Sequence, residues 1–241
     1  MQYIHKDFVS YMLAHVKRIV GYSDSHKSVS WSAVRFFVSS NSQSELEHFL
    51  SSVNVKGKAT IMDNNVGVSL PKLFNQFIEE NVDLDCWLVF CHQDIEFYED
   101  LEKRLGGLNP YAVYGVIGAK GYTSIIGQII EADNKKTGKY ITKPVDVQTL
   151  DEVCLILHTR VCKEYGLRFS EQFQFHFYGA DLCMTARQLG LKVRVLQVDC
   201  KHFSKTIFGL ANKQGFLKAQ ELFRSKWINQ LPIRTTTGII V

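Results

Sequence analysis

The sequence predicts an α/β protein of 241 residues, with a mixed, mostly parallel sheet flanked by helices. Three strand-like runs, each followed by a pattern typical of a helix, occupy the stretch from Val34 to Leu105. Successive strand-helix units form parallel sheets with right-handed crossovers. Hydrophobic residues at 46% and charged residues at 22% are the values of a globular chain, so the sequence can form an ample core.

The first two strand-helix units end in polar turns. The apolar run Val34 to Val38 stops at Ser39, Ser40 and Asn41, and a helical pattern follows it. The second strand, Ala59 to Met62, stops at Asp63, Asn64 and Asn65. The carboxyl ends of parallel strands meet at one edge of a sheet, where ligands bind. The candidate ligand contacts at this edge are therefore Ser39, Asn41, Asp63 and Asn65.

The third strand, Cys86 to Cys91, leads directly into His92, Gln93 and Asp94. An imidazole and a carboxylate two residues apart lie on one face of an extended segment, where they can hold a hard or borderline divalent cation. The alternative is that these residues are only turn and cap residues after a strand. A helix from Phe97 to Leu105 is expected to complete this unit.

Two common phosphate-binding motifs are absent from the sequence, which limits the ways in which this protein could bind a nucleotide. No G-x-G-x-x-G follows the first strand and no G-x-x-x-x-G-K-[ST] occurs, so the sequence has neither a dinucleotide cradle nor a P-loop. A divalent cation held by a carboxylate is the remaining common way to neutralise a diphosphate. The net charge of +4 is small and scattered, which argues against a nucleic-acid partner.

The second half of the chain has a different pattern. Glycines interrupt the strand that begins at Tyr114, and residues 125–141 predict a hairpin, so the strand order is expected to mix here. A later helix carries Asp181 near its start, where the helix dipole favours an acid. The strand-like run that follows this helix ends shortly before His202.

A single domain is expected, with its core at about 32–204 and a helix at each end. The N-terminal helix, 7–20, is amphipathic and basic near its end, which predicts a packing helix and leaves peripheral membrane contact as the alternative. The C-terminal tail, 206–230, has an apolar stripe and basic faces. The tail either packs on the sheet or folds over a diphosphate or an anionic acceptor.

The cysteines and the hydropathy pattern predict a cytoplasmic protein. The six cysteines are dispersed and form no C-x-x-C pair, which is typical of buried thiols in a reducing compartment. No run approaches the ~18 apolar residues of a transmembrane segment, and the first residues lack the build of a signal peptide.

Four motifs in this order resemble the family-2-type glycosyltransferases of GT-A fold, and most of all the branch related to the streptomycin-biosynthesis StrF proteins. The motifs are Cys91-His-Gln-Asp-Ile95, Leu150-Asp-Glu152, His176-Phe-Tyr-Gly-Ala-Asp-Leu-Cys183 and His202-x-Ser204. The resemblance covers roughly residues 32–204. Two departures stand out, because His-Gln-Asp replaces the usual Asp-x-Asp and Tyr-Gly-Ala-Asp replaces the common Glu-Asp pair.

The resemblance implies a hexosyltransferase-like enzyme that moves a sugar from a nucleoside-diphosphate donor, with UDP favoured, to an acceptor hydroxyl. The acceptor is an unknown glycan, lipid-linked molecule or small molecule. Mn²⁺ or Mg²⁺ would be held by Asp94 and His202, with His92 as a helper, and Asp181 would be the general base of an inverting displacement.

The same resemblance assigns the donor contacts. The nucleoside would lie over the first two strand ends, and the full set of expected donor contacts is Ser39, Asn41, Asp63, Asn65, Gln93 and Asp94. Asp151 and Glu152 are candidates for sugar or acceptor contacts. Two other classes stay open: a degenerate protein that binds a nucleotide sugar without catalysis, and a metal-dependent phosphoester hydrolase.

Overall fold

The computed structural model describes residues 34–64, 67–204 and 213–241. Its central sheet has seven strands. In the order in which they lie in the sheet, they are Val145–Asp146 (β10), Lys192–Val195 (β13), Ala112–Gly115 (β5), Cys154–His158 (β12), Trp87–Cys91 (β3), Val34–Ser40 (β1) and Ala59–Asp63 (β2).

The strand directions confirm the mixed, mostly parallel sheet. Strand β1 pairs in parallel with both β2 and β3, and β5 pairs in parallel with β13. Strand β12 runs antiparallel to both of its neighbours, β3 and β5, and β10 is an antiparallel edge strand. The mixing of directions therefore begins where the sequence pattern changes, in the second half of the chain.

Helices cover both faces of this sheet. They are Gln43–Leu50 (α1), Leu70–Asn81 (α2), Leu101–Leu105 (α3), Thr159–Glu164 (α4), Tyr178–Gln188 (α5) and Lys213–Lys226 (α6). Ser42 caps α1 by accepting a hydrogen bond from the Glu45 backbone N–H, and Pro71 lies in the first turn of α2, where its missing N–H costs nothing.

The central strands are buried on both faces because their side chains alternate between two apolar cores. In β3, Leu88 and Phe90 face the core formed with α2, α5 and α6, whereas Val89 and Cys91 face the core on the opposite side. A strand covered on both faces reads as a continuous apolar run, which is why Cys86 to Cys91 carries no alternating pattern.

Three smaller sheets extend the central one. A four-stranded sheet contains, in order, Ile95–Phe97 (β4), Cys200–His202 (β14), Ile129–Glu131 (β8) and Lys136–Thr137 (β9). A second sheet contains Thr149–Leu150 (β11), Gly118–Lys120 (β6) and Ser124–Ile126 (β7). The C-terminal strands Ile233–Arg234 (β15) and Ile239–Ile240 (β16) form a hairpin.

The expected helix from Phe97 to Leu105 is wrong in its first half. Phe97 ends strand β4, and the helix begins only at Leu101, after Asp100 caps it by accepting from the Glu102 backbone N–H. Ile95 and Phe97 are buried on either side of a partly exposed Glu96, which is the period-two pattern of a strand. The pairing of β4 with β14 therefore outweighs the helical pattern that the local sequence shows at Phe97.

Several expectations concern the ends of the chain. The predicted helix at 7–20 lies outside the described residues, as do positions 205–212 of the tail and the candidate contact Asn65. Within the tail, α6 packs Phe223 into the core, followed by Trp227. All six cysteines are buried and free. Of the helices in the described ranges, none has the length and apolarity that a membrane crossing requires.

Candidate metal and nucleotide site

The four-stranded sheet brings together acidic and imidazole side chains that are distant in sequence. His202 ends β14, where it lies opposite Ile95 of the antiparallel neighbour β4 and beside Glu131 of the parallel neighbour β8. The Phe203 backbone N–H donates to the Asp94 carbonyl at 2.7 Å, which fixes the two segments against each other. Asp94 and His202 therefore converge, although through an antiparallel pair of short strands instead of the central sheet.

His92, Asp94 and His202 form a cluster whose ligand atoms all lie within 4.8 Å of one another. The Nε2 atom of His202 is 3.4 Å from Asp94 Oδ1, and Nδ1 of His92 is 3.8 Å from the same oxygen. Nε2 of His202 is buried and has no hydrogen-bond partner among the described residues. A buried nitrogen that is left unpaired beside a carboxylate fits a metal ligand, because a cation between them would satisfy both groups.

The electrostatics of the cluster favour a positive charge at this position. Burial alone would lower the pKa of His202, but Asp94 and Glu131 outweigh burial and raise this pKa to about 10. Burial would raise the pKa of Asp94, yet His202 and His92 lower it. For His92, burial lowers the pKa against the opposing effect of Asp94. One carboxylate and two imidazoles suit a borderline divalent ion such as Mn²⁺, so the residues fit the implied metal.

The expected nucleoside contacts lie at the adjacent strand ends. In the parallel pair of β1 and β2, Ser39 lies opposite Met62, and Ser40 lies opposite Asp63. Asn41 is the next residue along, in the loop that leads to α1, and it is exposed, as is Asp63. The structure therefore brings Ser39, Asn41 and Asp63 to one edge, beside the end of β3 that leads into His92 and Asp94.

Gln93 lies between two residues of the cluster, and its side chain turns back toward the loop after β1. Its Oε1 accepts from Ser40 Oγ at 2.8 Å, and its Nε2 donates to Asn41 Oδ1 at 2.8 Å. The expected donor contact Gln93 is thus bound to the protein through both ends of its amide.

Asp151 and Glu152 lie close to the cluster, because the His92 backbone N–H donates to the Val153 carbonyl at 3.1 Å. Asp151 accepts from the Thr236 hydroxyl at 2.5 Å, a contact from the C-terminal hairpin. Glu152 accepts from the Gly179 backbone N–H at 2.9 Å, and burial raises the pKa of Glu152 to about 8. Both acids therefore connect the site to later parts of the chain.

Asp181, the expected general base, is only 1% exposed. Its Oδ1 accepts from Trp227 Nε1 at 2.8 Å, and Lys226 Nζ lies 2.7 Å from Oδ1 and 2.9 Å from Oδ2. Burial raises the pKa of Asp181, against the opposing effects of these two partners. In this arrangement both carboxylate oxygens are engaged by the C-terminal segment, so the catalytic role of Asp181 stays a prediction.

Sequence reasoning assigned no role to two residues that the structure places near the cluster. Glu131 Oε2 is 3.8 Å from His202 Nδ1, on the opposite side of the ring from Asp94. His176 has a buried Nε2 without a hydrogen-bond partner among the described residues, and its charge would act on His92. The sequence did carry a signal for His176, because it is the first residue of the motif that contains Asp181. The next residue, Phe177, adopts a left-handed φ of 65°, a strained conformation that is frequent at functional sites.

Comparison of the sequence with known proteins gives a partial match. No family model matches the chain. A curated relative, the ATP synthase subunits region ORF 6 of Fuscovulum blasticum, is 28% identical over 140 residues, which are 50% of this chain and 53% of the relative. The chain thus spans about half the length of the curated relative that it matches.

Solved structures of GT-A fold superpose on most of the chain. The crystal structure of GalNAc-T7 with UDP, GalNAc and Mn²⁺ matches with a TM-score of 0.56 at 10% identity, over 82% of this chain and 49% of that chain. That of S. aureus TarS matches with a TM-score of 0.50 at 12% identity, over 81% and 40%. These matches confirm the predicted GT-A-like architecture of this chain.

Proposed function

We propose that the chain is a metal-assisted glycosyltransferase that takes a hexose from a UDP-sugar and transfers it to an acceptor hydroxyl. The observation that carries the proposal is the cluster of His92, Asp94 and His202 at the edge of a GT-A fold, next to the first two strand ends. GalNAc-T7, a structural neighbour, was crystallised with UDP and Mn²⁺, which supports the same choice of donor and cation here.

Each part of the site has a proposed task. Asp94, His202 and His92 hold the cation, and a bound Mn²⁺ or Mg²⁺ supplies charge neutralisation to the donor diphosphate. Asp63 accepts a hydrogen bond from the uracil N–H, and Ser39 and Asn41 line the nucleoside pocket. Asn65, outside the described residues, belongs to the same proposed pocket.

In the proposed reaction the acceptor oxygen bonds to the anomeric carbon as the bond between that carbon and the diphosphate breaks. UDP leaves with the electron pair, and the proton of the acceptor hydroxyl passes to a base. A single displacement inverts the anomeric centre. Asp181 is the proposed base, and in that role it must exchange its contacts with Lys226 and Trp227 for the acceptor.

One observation favours a second candidate, a nucleotide-sugar-binding protein without catalysis. The only carboxylate of the α5 motif, Asp181, is buried and paired with α6, as a structural residue would be. Such a protein would bind UDP in a Mn²⁺-dependent way but would release no UDP from UDP-sugars beyond the spontaneous rate. A metal-dependent phosphoester hydrolase would instead turn over phosphoesters that contain no sugar.

The test is calorimetry with UDP, GDP, CDP and dTDP in the presence of Mn²⁺, followed by UDP release from a panel of UDP-sugars with water as the acceptor of the sugar. We expect UDP to bind most tightly and at least one UDP-sugar to release UDP faster than in the absence of protein. Failure of all four nucleotides to bind would refute the donor site. Binding without release would support the noncatalytic alternative.

A further inference from the structure

The side chain of Gln93 joins the loop after β3, which carries the metal cluster, to the loop after β1, which is proposed to contact the nucleoside. Its Oε1 accepts three hydrogen bonds, from Ser40 Oγ at 2.8 Å and from the backbone N–H groups of Asn41 at 3.1 Å and Ser42 at 3.2 Å. Its Nε2 donates to Asn41 Oδ1 at 2.8 Å. One side chain thus makes four hydrogen bonds to three consecutive residues.

These contacts give Gln93 a different task from its neighbours in the sequence. A carbonyl oxygen that already accepts three donors has no capacity left for a ligand. Two of the donors are backbone N–H groups just before helix α1, and Ser42 caps that helix. Gln93 therefore fixes the backbone path between β1 and α1, and it does so from a position flanked by His92 and Asp94.

We propose that Gln93 is a positioning residue that locks the nucleoside-binding loop onto the metal-binding loop, so that the donor is received by one rigid unit. This inference rests on the proposed function, because it takes residues 39–41 as the nucleoside side and His92 and Asp94 as the metal side. Gln93 itself contacts neither the nucleotide nor the cation. It determines the relative position of the groups that do.

The geometry predicts which substitutions are tolerated. Gln93→Ala removes all four hydrogen bonds and separates the two loops. Gln93→Glu keeps an acceptor for Ser40 and for both backbone N–H groups, and the Asn41 amide can turn so that its NH₂ group donates to the new carboxylate. Adding Asn41→Asp to Gln93→Glu places two carboxylates in contact, which repels the loops from each other.

The experiment measures UDP affinity by calorimetry, with Mn²⁺ and separately in EDTA, for the wild type and for these variants. In EDTA the affinity reports the nucleoside side alone, and the gain on adding Mn²⁺ reports the metal side. We expect Gln93→Ala to lose about 10–100-fold in UDP affinity with Mn²⁺ and to lose affinity in EDTA as well, as when residues that support metal ligands are removed. Gln93→Glu should stay within about threefold of wild type, a rescue that depends on the acceptor atom.

The controls separate this inference from the proposed function. Gln76→Ala removes a glutamine on α2 that donates to Glu80, and it should leave both affinities unchanged. A wild type that binds no UDP refutes the proposed function, whereas wild-type binding that Gln93→Ala preserves within twofold refutes only the role of Gln93. If Gln93→Ala does not fold, the double variant Gln93→Glu with Asn41→Asp is compared with Asn41→Asp alone, which changes the same proposed nucleoside contact but keeps Nε2 of Gln93 as a donor to residue 41. Equal affinities of these two variants would also overturn the role.

Discussion

Replacing Asp181 by alanine should destabilise the fold through the contacts that α6 makes with α5. The indole N–H of Trp227, a residue that is 4% exposed, loses its acceptor, and an unsatisfied buried donor costs about 1–3 kcal/mol. The Lys226 side chain is 32% exposed, so its ammonium can turn to water, and loss of the ion pair adds at most about 1 kcal/mol. We therefore expect Asp181→Ala to lower the free energy of unfolding by about 1–4 kcal/mol.

Urea denaturation followed by circular dichroism measures this loss, with Lys218→Met on the exposed side of α6 as the control, which should stay within about 0.5 kcal/mol of wild type. A loss below about 0.5 kcal/mol for Asp181→Ala would refute the reasoning, because the buried indole would then have another partner.

Two further variants address catalysis through UDP release. If Asp181 is the base, Asp181→Asn abolishes release and Lys226→Met preserves it, whereas equal losses in both variants indicate a structural tie between the helices.

Two further predictions concern pH dependence and backbone geometry. The pKa of Glu152 in the folded protein, about 8, lies above its ordinary value of 4.5, so the unfolded chain loses this proton first as the pH rises. The stability that the protonated Glu152 contributes is therefore complete below about pH 4.5 and is lost by about pH 8. The free energy of unfolding of the wild type should therefore fall by on the order of 3 kcal/mol between about pH 5 and 8, and that of Glu152→Gln should fall markedly less. Denaturation at each pH measures both variants, and parallel pH curves would contradict the assignment. Gly138→Ala should cost about 2–5 kcal/mol, because φ is 86° and a Cβ would lie 1.9 Å from the Gly127 carbonyl oxygen. Gly121→Ala, with φ 59° and open space around it, should cost only about 1–2 kcal/mol. Thermal unfolding of both glycine variants measures the difference, and equal losses would show that the contact at Gly138 is relieved elsewhere.

Local patterns were sufficient to predict the three parallel strands with which the central sheet begins. Each of the first three strands is a short apolar run that stops at polar turn residues, and these strands pair in parallel in the structure. The helix expected from Phe97 was wrong because Ile95 and Phe97 form a strand only through pairing with β14, a contact distant in sequence. Such pairing leaves too weak a signal in three residues to outweigh the helical pattern that follows them.

The candidate site was predictable in part, for the same physical reason. His92 and Asp94 follow a clear strand, so their position at a ligand-binding edge could be inferred from the sequence. Glu131 could not be inferred, because it reaches His202 only through the parallel pairing of β8 with β14. The engagement of Asp181 by Trp227 was equally hidden, since it depends on how α6 packs on α5.

The dependence of UDP affinity on Mn²⁺ in Asp94→Asn tests the proposed metal site most directly. Calorimetry of UDP in Mn²⁺ and in EDTA should show at least about a tenfold gain from Mn²⁺ in the wild type, because the cation joins the diphosphate to the cluster. Asp94→Asn should abolish this gain, and His202→Ala should reduce it strongly, whereas Asp146→Asn on the edge strand β10 should keep it. An Asp94→Asn variant that binds UDP with the wild-type dependence on Mn²⁺ would contradict the metal site.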